Sequence, residues 1–144
     1  MQKIAIAFQG RPDSGKTETL KNLIANLISQ KGAKLICEIS RGSDKGVIIE
    51  LNKVLIGIET QGDPNSNLEI RLDRLVGKKC NIIICATRTY GGTVNEFSSA
   101  CSNYERIEIH QQYISSSLSS NTDGLRDIVS KRNIEGIRQV CQIP

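Results

Sequence analysis

Gly10 and Gly15 stand with four residues between them, and Lys16-Thr17 follows at once, a full match to G-x-x-x-x-G-K-[ST]. The flanks restrict the fold as much as the motif does. A short apolar run over residues 3–8 precedes it. Leu20, Leu23, Ile24, Leu27 and Ile28 follow at the i, i+3, i+4, i+7, i+8 spacing of one helix face. The sequence predicts a strand over 3–8, a tight loop over 10–17 and a helix over 16–30 closed by Lys31-Gly32. Each residue type in the loop has a mechanical use. The glycines let the backbone turn tightly and point its N–H groups inward at a phosphate. Lys16 supplies a compact positive charge, Thr17 a hydroxyl able to ligate Mg²⁺, and the helix turns its positive end toward the same place.

On this motif, set between a strand and a helix, the chain resembles the P-loop NTPase superfamily over about its first ninety residues, and beyond them by architecture only. The resemblance implies a three-layer α/β fold that binds ATP or GTP with Mg²⁺. Gly10, Asp13, Ser14, Gly15, Lys16, Thr17 and Glu18 would form the nucleotide cradle.

Composition sets the outer bounds. At 144 residues the chain is expected to be one domain over 1–144, with an aliphatic core, since aromatic residues make up 3% and Trp is absent. A net charge of +4 without a Lys/Arg block does not indicate nucleic acid. The five cysteines include no C-x-x-C and have no neighbouring histidine, so buried, reduced thiols are expected. The apolar run starts directly after the N-terminus, with no secretory signal pattern, and no run approaches the roughly 20 residues of a membrane span. A cytoplasmic protein without a membrane partner is expected.

Further along, Lys34–Ile39 reads as a short strand and 40–46 as a polar loop. The runs Val47–Leu51 and Val54–Ile58 are separated only by Asn52-Lys53, too short a link for a parallel crossover, so they must pair as an antiparallel hairpin. Ser66-x-x-Glu69 and Thr93-x-x-Glu96 are capping-box patterns for two helices, the first lined by Leu68, Leu72, Leu75 and Val76 and closed by Gly77. Residues 81–86 form a continuous apolar run suited to a central parallel strand, and 106–111 alternate as an edge strand. A helix or two from about 122 to 141 would contribute Leu125, Ile128, Val129, Ile134 and Ile137 to the core.

A phosphate loop of this kind needs an acidic group at the end of a neighbouring strand. Glu59 closes the hairpin's second run and Asp63 follows four residues later. A hairpin whose second strand ends in D-x-x-G is the arrangement of the GTPase-like branch, and Glu59-Thr60-Gln61-Gly62 resembles it with Glu in place of Asp. That resemblance implies a γ-phosphate contact from the Gly62 N–H and a water-positioning role for Asp63 or Gln61. Glu59 and Asp63 are both candidates for the metal beside Thr17. The branch's N-K-x-D motif is absent, so ATP is the default nucleotide. Arg88, after the central strand, is a candidate electrophile or substrate anchor. Arg41 and Ser43 lie where a switch loop would be, Thr87 and Thr89 flank Arg88, and Arg11 and Asp13 sit inside the phosphate loop. His110 is expected to face outward.

These features predict a mostly parallel sheet with one antiparallel hairpin and helices on both faces. They point to Mg²⁺-dependent ATP hydrolysis catalysed by Lys16, Glu59, Asp63 and Arg88, with a second copy or a protein partner as a source of a further arginine. A small-molecule or nucleotide kinase, and a nucleotide-dependent switch with little activity alone, are the two alternatives.

Overall fold

The computed structural model describes residues 3–10, 15–63, 66–89 and 91–110, together with 131, 132, 134–136, 138 and 139. Its strands are β1 (Ile4–Gln9), β2 (Lys34–Arg41), β3 (Asp44–Leu51), β4 (Val54–Glu59), β5 (Ile82–Thr87) and β6 (Glu105–His110). The helices are α1 (Lys16–Ile28), α2 (Leu68–Gly77) and α3 (Gly92–Ala100), and the described residues 131, 132, 134–136, 138 and 139 are helical as well, within the helical stretch expected over 122–141. All six strands form one sheet in the order β2-β3-β4-β5-β1-β6. β4, β5, β1 and β6 run parallel, and β2, β3 and β4 pair antiparallel in succession. The chain is therefore α/β with a mostly parallel sheet.

The expected hairpin is β3–β4, with Leu51 opposite Val54. Its two-residue turn puts both Asn52 (φ 51) and Lys53 (φ 67) in the left-handed region, as a turn matched to strand twist requires. The 40–46 stretch differs from the loop expected of it. It is the end of β2, a Gly42-Ser43 turn and the start of β3. Polar residues hid these strands because β2 is an edge strand and needs no apolar face.

Period-two alternation sorts the sheet into two faces. On one, Ile6, Phe8, Val47, Ile49, Ile56, Ile58 and Ile84 pack against the Leu20, Leu23, Ile24 and Leu27 stripe of α1, and Ile134 joins them. On the other, Ala5, Ala7, Ile83 and Cys85 pack against Leu68, Leu72 and Leu75 of α2 and Phe97 of α3. Gly57 belongs to this second face: a Cβ there would lie 3.0 Å from Cys80 Sγ and from both Leu75 methyl carbons, a tight contact that the bare backbone avoids where α2 packs. Cys80, Cys85 and Cys101 are buried free thiols and Cys37 is half-buried. Burial pushes Cys80 up to about 11, Cys101 to about 12 and Cys85 well above its ordinary value, so all three are protonated at neutral pH. Cys141, Leu125, Ile128, Val129 and Ile137 lie outside the described residues. No helix among the described residues is long and apolar enough to cross a membrane.

Neither capping box forms. Asn67 (φ 59) precedes α2 without a side-chain cap, Ser66 Oγ donates to Asp63 O, and Glu69 accepts from Ser99 Oγ of α3. Gly91 precedes α3, while Thr93 Oγ1 accepts the Arg88 N–H. Both hydroxyls and the Glu69 carboxylate are engaged in other contacts.

The wholly buried Glu59, last residue of β4, links three elements. Its Oε2 accepts from Arg41 Nη1 of β2 at 2.9 Å and from Arg71 Nη1 of α2 at 3.1 Å, and Oε1 faces Arg74 Nη2 at 3.4 Å. Gly46 makes room for it, since a Cβ there would collide with the Glu59 carboxylate. Removing one partner of a buried ionic cluster leaves the others uncompensated. Glu59→Ala is expected to cost about 3–5 kcal/mol in urea unfolding. Ile70→Ala, at an exposed position of α2, should stay within about 0.5 kcal/mol. An equally small loss at Glu59 would remove its structural role.

Candidate functional site

Parallel strands deliver their C-terminal ends to one edge, and here that edge gathers the polar chemistry. Gln9 of β1 lies in register with Thr87 of β5, and Glu59 of β4 with Cys85. Gly10, one residue past β1, donates its N–H to Thr87 O at 3.2 Å. Gly15 has φ 93, a conformation that favours glycine, and it turns the chain into α1 so that Lys16 becomes the first helical residue.

Lys16 is only 8% exposed. Its Nζ donates to Gly10 O and to Thr87 O, both at 2.7 Å, bridging the ends of β1 and β5. Its pKa is lowered from 10.5 to about 8, by burial first and by the Arg88 charge second, with the Asp63 carboxylate opposing both.

Thr17, next along α1, sends its hydroxyl toward Asp44 Oδ1 (3.3 Å) and Thr60 O (3.4 Å). The Thr60 hydroxyl donates to the same Asp44 oxygen at 3.0 Å and accepts the Lys45 N–H at 2.9 Å. An all-oxygen cluster of hydroxyl, carboxylate and carbonyl suits a hard cation. Among the described residues no three His, Cys, Asp or Glu side chains come together to hold a metal by themselves. Mg²⁺ does not need that, since it takes one or two carboxylates and completes its shell with waters and phosphate oxygens.

The segment after β4 crosses the end of β5. Gly62 lies against Ala86, where a Cβ would strike the Ala86 carbonyl, so glycine is required by the close approach of two backbones. Asp63, 61% exposed, pairs with Arg88 Nη2 at 2.9 Å. Thr87 Oγ1 and Arg88 Nε are buried and have no hydrogen-bond partner among the described residues. Two unspent donors therefore sit at the tip of β5, beside the residue whose carbonyl holds Lys16.

The structure thus brings together Gly10, Gly15, Lys16, Thr17, Gly62, Asp63 and Arg88. Asp13 and Ser14 of the expected cradle, with Arg11, lie outside the described residues. Glu18 is exposed and faces Lys21 at 4.0 Å. The expected Thr17–Glu59 metal pair is not the pair the fold brings together: the Glu59 carboxylate is held by Arg41, Arg71 and Arg74, and Thr17 meets Asp44 instead. Nor does the Glu59–Gly62 segment adjoin β1, because β5 lies between β4 and β1. Arg41 belongs to the Glu59 cluster, Ser43 to the β2–β3 turn, Thr89 is exposed beyond β5, and His110 is exposed at the end of edge strand β6. Asp44 is the site residue that sequence reading missed. Its signal was a carboxylate directly after a Gly-Ser turn, visible only once 40–46 is seen as two strand ends.

No protein-family model, no curated protein and no solved structure matches the chain.

Lys16 carries a testable pH signature. Its folded pKa of about 8 lies below the ordinary 10.5, so between these values the unfolded chain binds the proton that the folded chain has lost. The penalty for burying the ammonium is full below pH 8 and is relieved as pH rises toward 10.5. In urea unfolding, any stability gained by Lys16→Met over the parent should therefore be largest at neutral pH and shrink across that window. A difference that does not change with pH would mean that Lys16 titrates as a solvated lysine.

Proposed function

We propose that the chain binds a nucleoside triphosphate with Mg²⁺ at the Gly10–Thr17 loop and hydrolyses it, ATP being the default nucleotide. One observation carries this reading: the buried Lys16 Nζ, at the N-terminus of the 13-residue helix α1, is held by two neutral carbonyl oxygens at the strand-end edge. A phosphate offers charged oxygens in their place, and the ammonium and the helix terminus both favour the exchange. The unspent donors of Thr87 and Arg88 add to the same place.

Thr17 and Asp44 would hold Mg²⁺ near the Thr60 carbonyl, and the metal role first expected of Glu59 passes to Asp44. The bound ion supplies charge neutralisation on the phosphate oxygens. Lys16 would hold the β- and γ-phosphates, and Gly62 would present its N–H near the γ-phosphate. Arg88 and Asp63 work only when their pair opens, Arg88 then turning to phosphoryl charge and Asp63 orienting water. Catalysis by these residues is positioning and electrostatics. The closed Arg88–Asp63 pair also favours a second reading, a nucleotide-dependent switch whose turnover is slow until a partner or second copy arrives.

Phosphate release from ATP with Mg²⁺ tests the proposal. Asp44→Asn is expected to lower the rate on the order of a hundredfold and to raise the Mg²⁺ requirement, since it removes the carboxylate charge at the metal. An Asp44→Asn variant with unchanged rate and Mg²⁺ dependence would move the metal elsewhere. Slow release that jumps when a partner protein is added supports the switch.

A further inference from the structure

The Glu59 cluster has more cation than the fold needs. Among the described residues, three guanidinium groups, from Arg41, Arg71 and Arg74, pair with one carboxylate, an excess of two positive charges. Neighbouring carboxylates are engaged elsewhere: Glu38 with Lys45, Glu69 with Ser99, and Asp63 with Arg88.

The three arginines are not equivalent. Arg71 is 6% exposed and spends its whole fork inside the protein, on Glu59, the Gln61 and Ser66 carbonyls and Ser66 Oγ. It fastens the 59–66 segment to α2. Arg41 and Arg74 keep 27% and 29% of their side chains exposed, and among the described residues their guanidinium contacts are with Glu59 alone. Arg74 Nε is buried with no hydrogen-bond partner among those residues.

We propose that Arg41 and Arg74, held in place by Glu59, form a second anion site that takes a phosphoryl group. A phosphoryl dianion matches the excess of two charges, and its oxygens suit the planar guanidinium fork. The place in the fold agrees. Arg41 ends β2 and Glu59 ends β4, at the same sheet edge as the Lys16 loop. Thr60, the residue after Glu59, contacts Thr17 and Asp44. An anion at Arg41 and Arg74 would thus lie across the β4 terminus from the candidate metal cluster, where a phosphorylated second substrate or a released phosphate could bind. The site is separate from the Lys16 loop and does not depend on the nucleotide reading.

The test titrates inorganic phosphate, and in a second arm glycerol phosphate, into the full-length Lys16→Ala variant while arginine Nε–H signals are followed by NMR. Saturable shifts of arginine signals are expected in that background. Adding Arg74→Gln should weaken binding by about tenfold or more. Arg41→Lys, which keeps the charge and removes the fork, should also weaken it. Tighter binding of the monoester identifies a phosphorylated substrate as the occupant, and tighter binding of inorganic phosphate identifies the released ion. The proposal is overturned by the lack of any saturable shift in Lys16→Ala, or by unchanged affinity in folded Arg74→Gln. If Arg74→Gln does not fold, unchanged affinity in Arg41→Lys overturns it equally. Nucleotide binding by the parent protein is measured separately, so its failure leaves this result intact.

Discussion

The buried ammonium of Lys16 is the contact on which the strand-end edge depends. With both acceptors at 2.7 Å it joins the backbone just past β1 to the end of β5. Its position is fixed from behind, because Lys16 opens α1 and the apolar stripe of α1 is pinned into the core on one face of the sheet. A cation held by neutral carbonyls and shielded from water is poorly compensated, and the pKa of about 8 expresses that cost. The same cost makes an incoming anion favourable. Stability and chemistry therefore pull this side chain in different directions.

The end of β4 divides the other labours. Glu59 turns toward α2 and its arginines, while Thr60 turns toward Thr17 and Asp44. One step along the backbone separates a charged structural hub from an oxygen cluster fit for a cation. Arg71 strengthens the link by tying Gln61 and Ser66 to the same carboxylate. The segment that carries Asp63 toward Arg88 is thus anchored at both ends, by Gly62 on Ala86 and by Ser66 on Arg71.

Local pattern made much of this legible. The 3.6 period of α1, the two-residue link at Asn52-Lys53 and the apolar run of β5 each admitted one structure, and each formed. What local pattern could not carry was partner choice. Glu59 looked like a metal ligand because it ends a strand, yet its carboxylate is taken by arginines 12 and 15 residues away on α2. Asp44 was invisible because β3 opens on the polar, half-buried pair Asp44-Lys45 directly after a Gly-Ser turn, which reads as loop. The capping boxes at Ser66 and Thr93 failed because other nearby groups, Asp63 and Arg71 for Ser66 and the Arg88 N–H for Thr93, took the hydroxyls. Strand order was beyond sequence reading as well, since nothing in the chain announces that β5 inserts between β4 and β1.

The central claim is that Lys16 exchanges its carbonyl partners for phosphate oxygens. Isothermal calorimetry with Mg²⁺ and the non-hydrolysable analogues of ATP and GTP measures this directly, with Lys16→Ala beside the parent. The account predicts micromolar binding of one analogue, accompanied at about pH 8 by proton uptake as the ammonium regains its charge, and loss of both in the variant. A folded parent protein that binds neither analogue, or that binds one as tightly without Lys16, would contradict it.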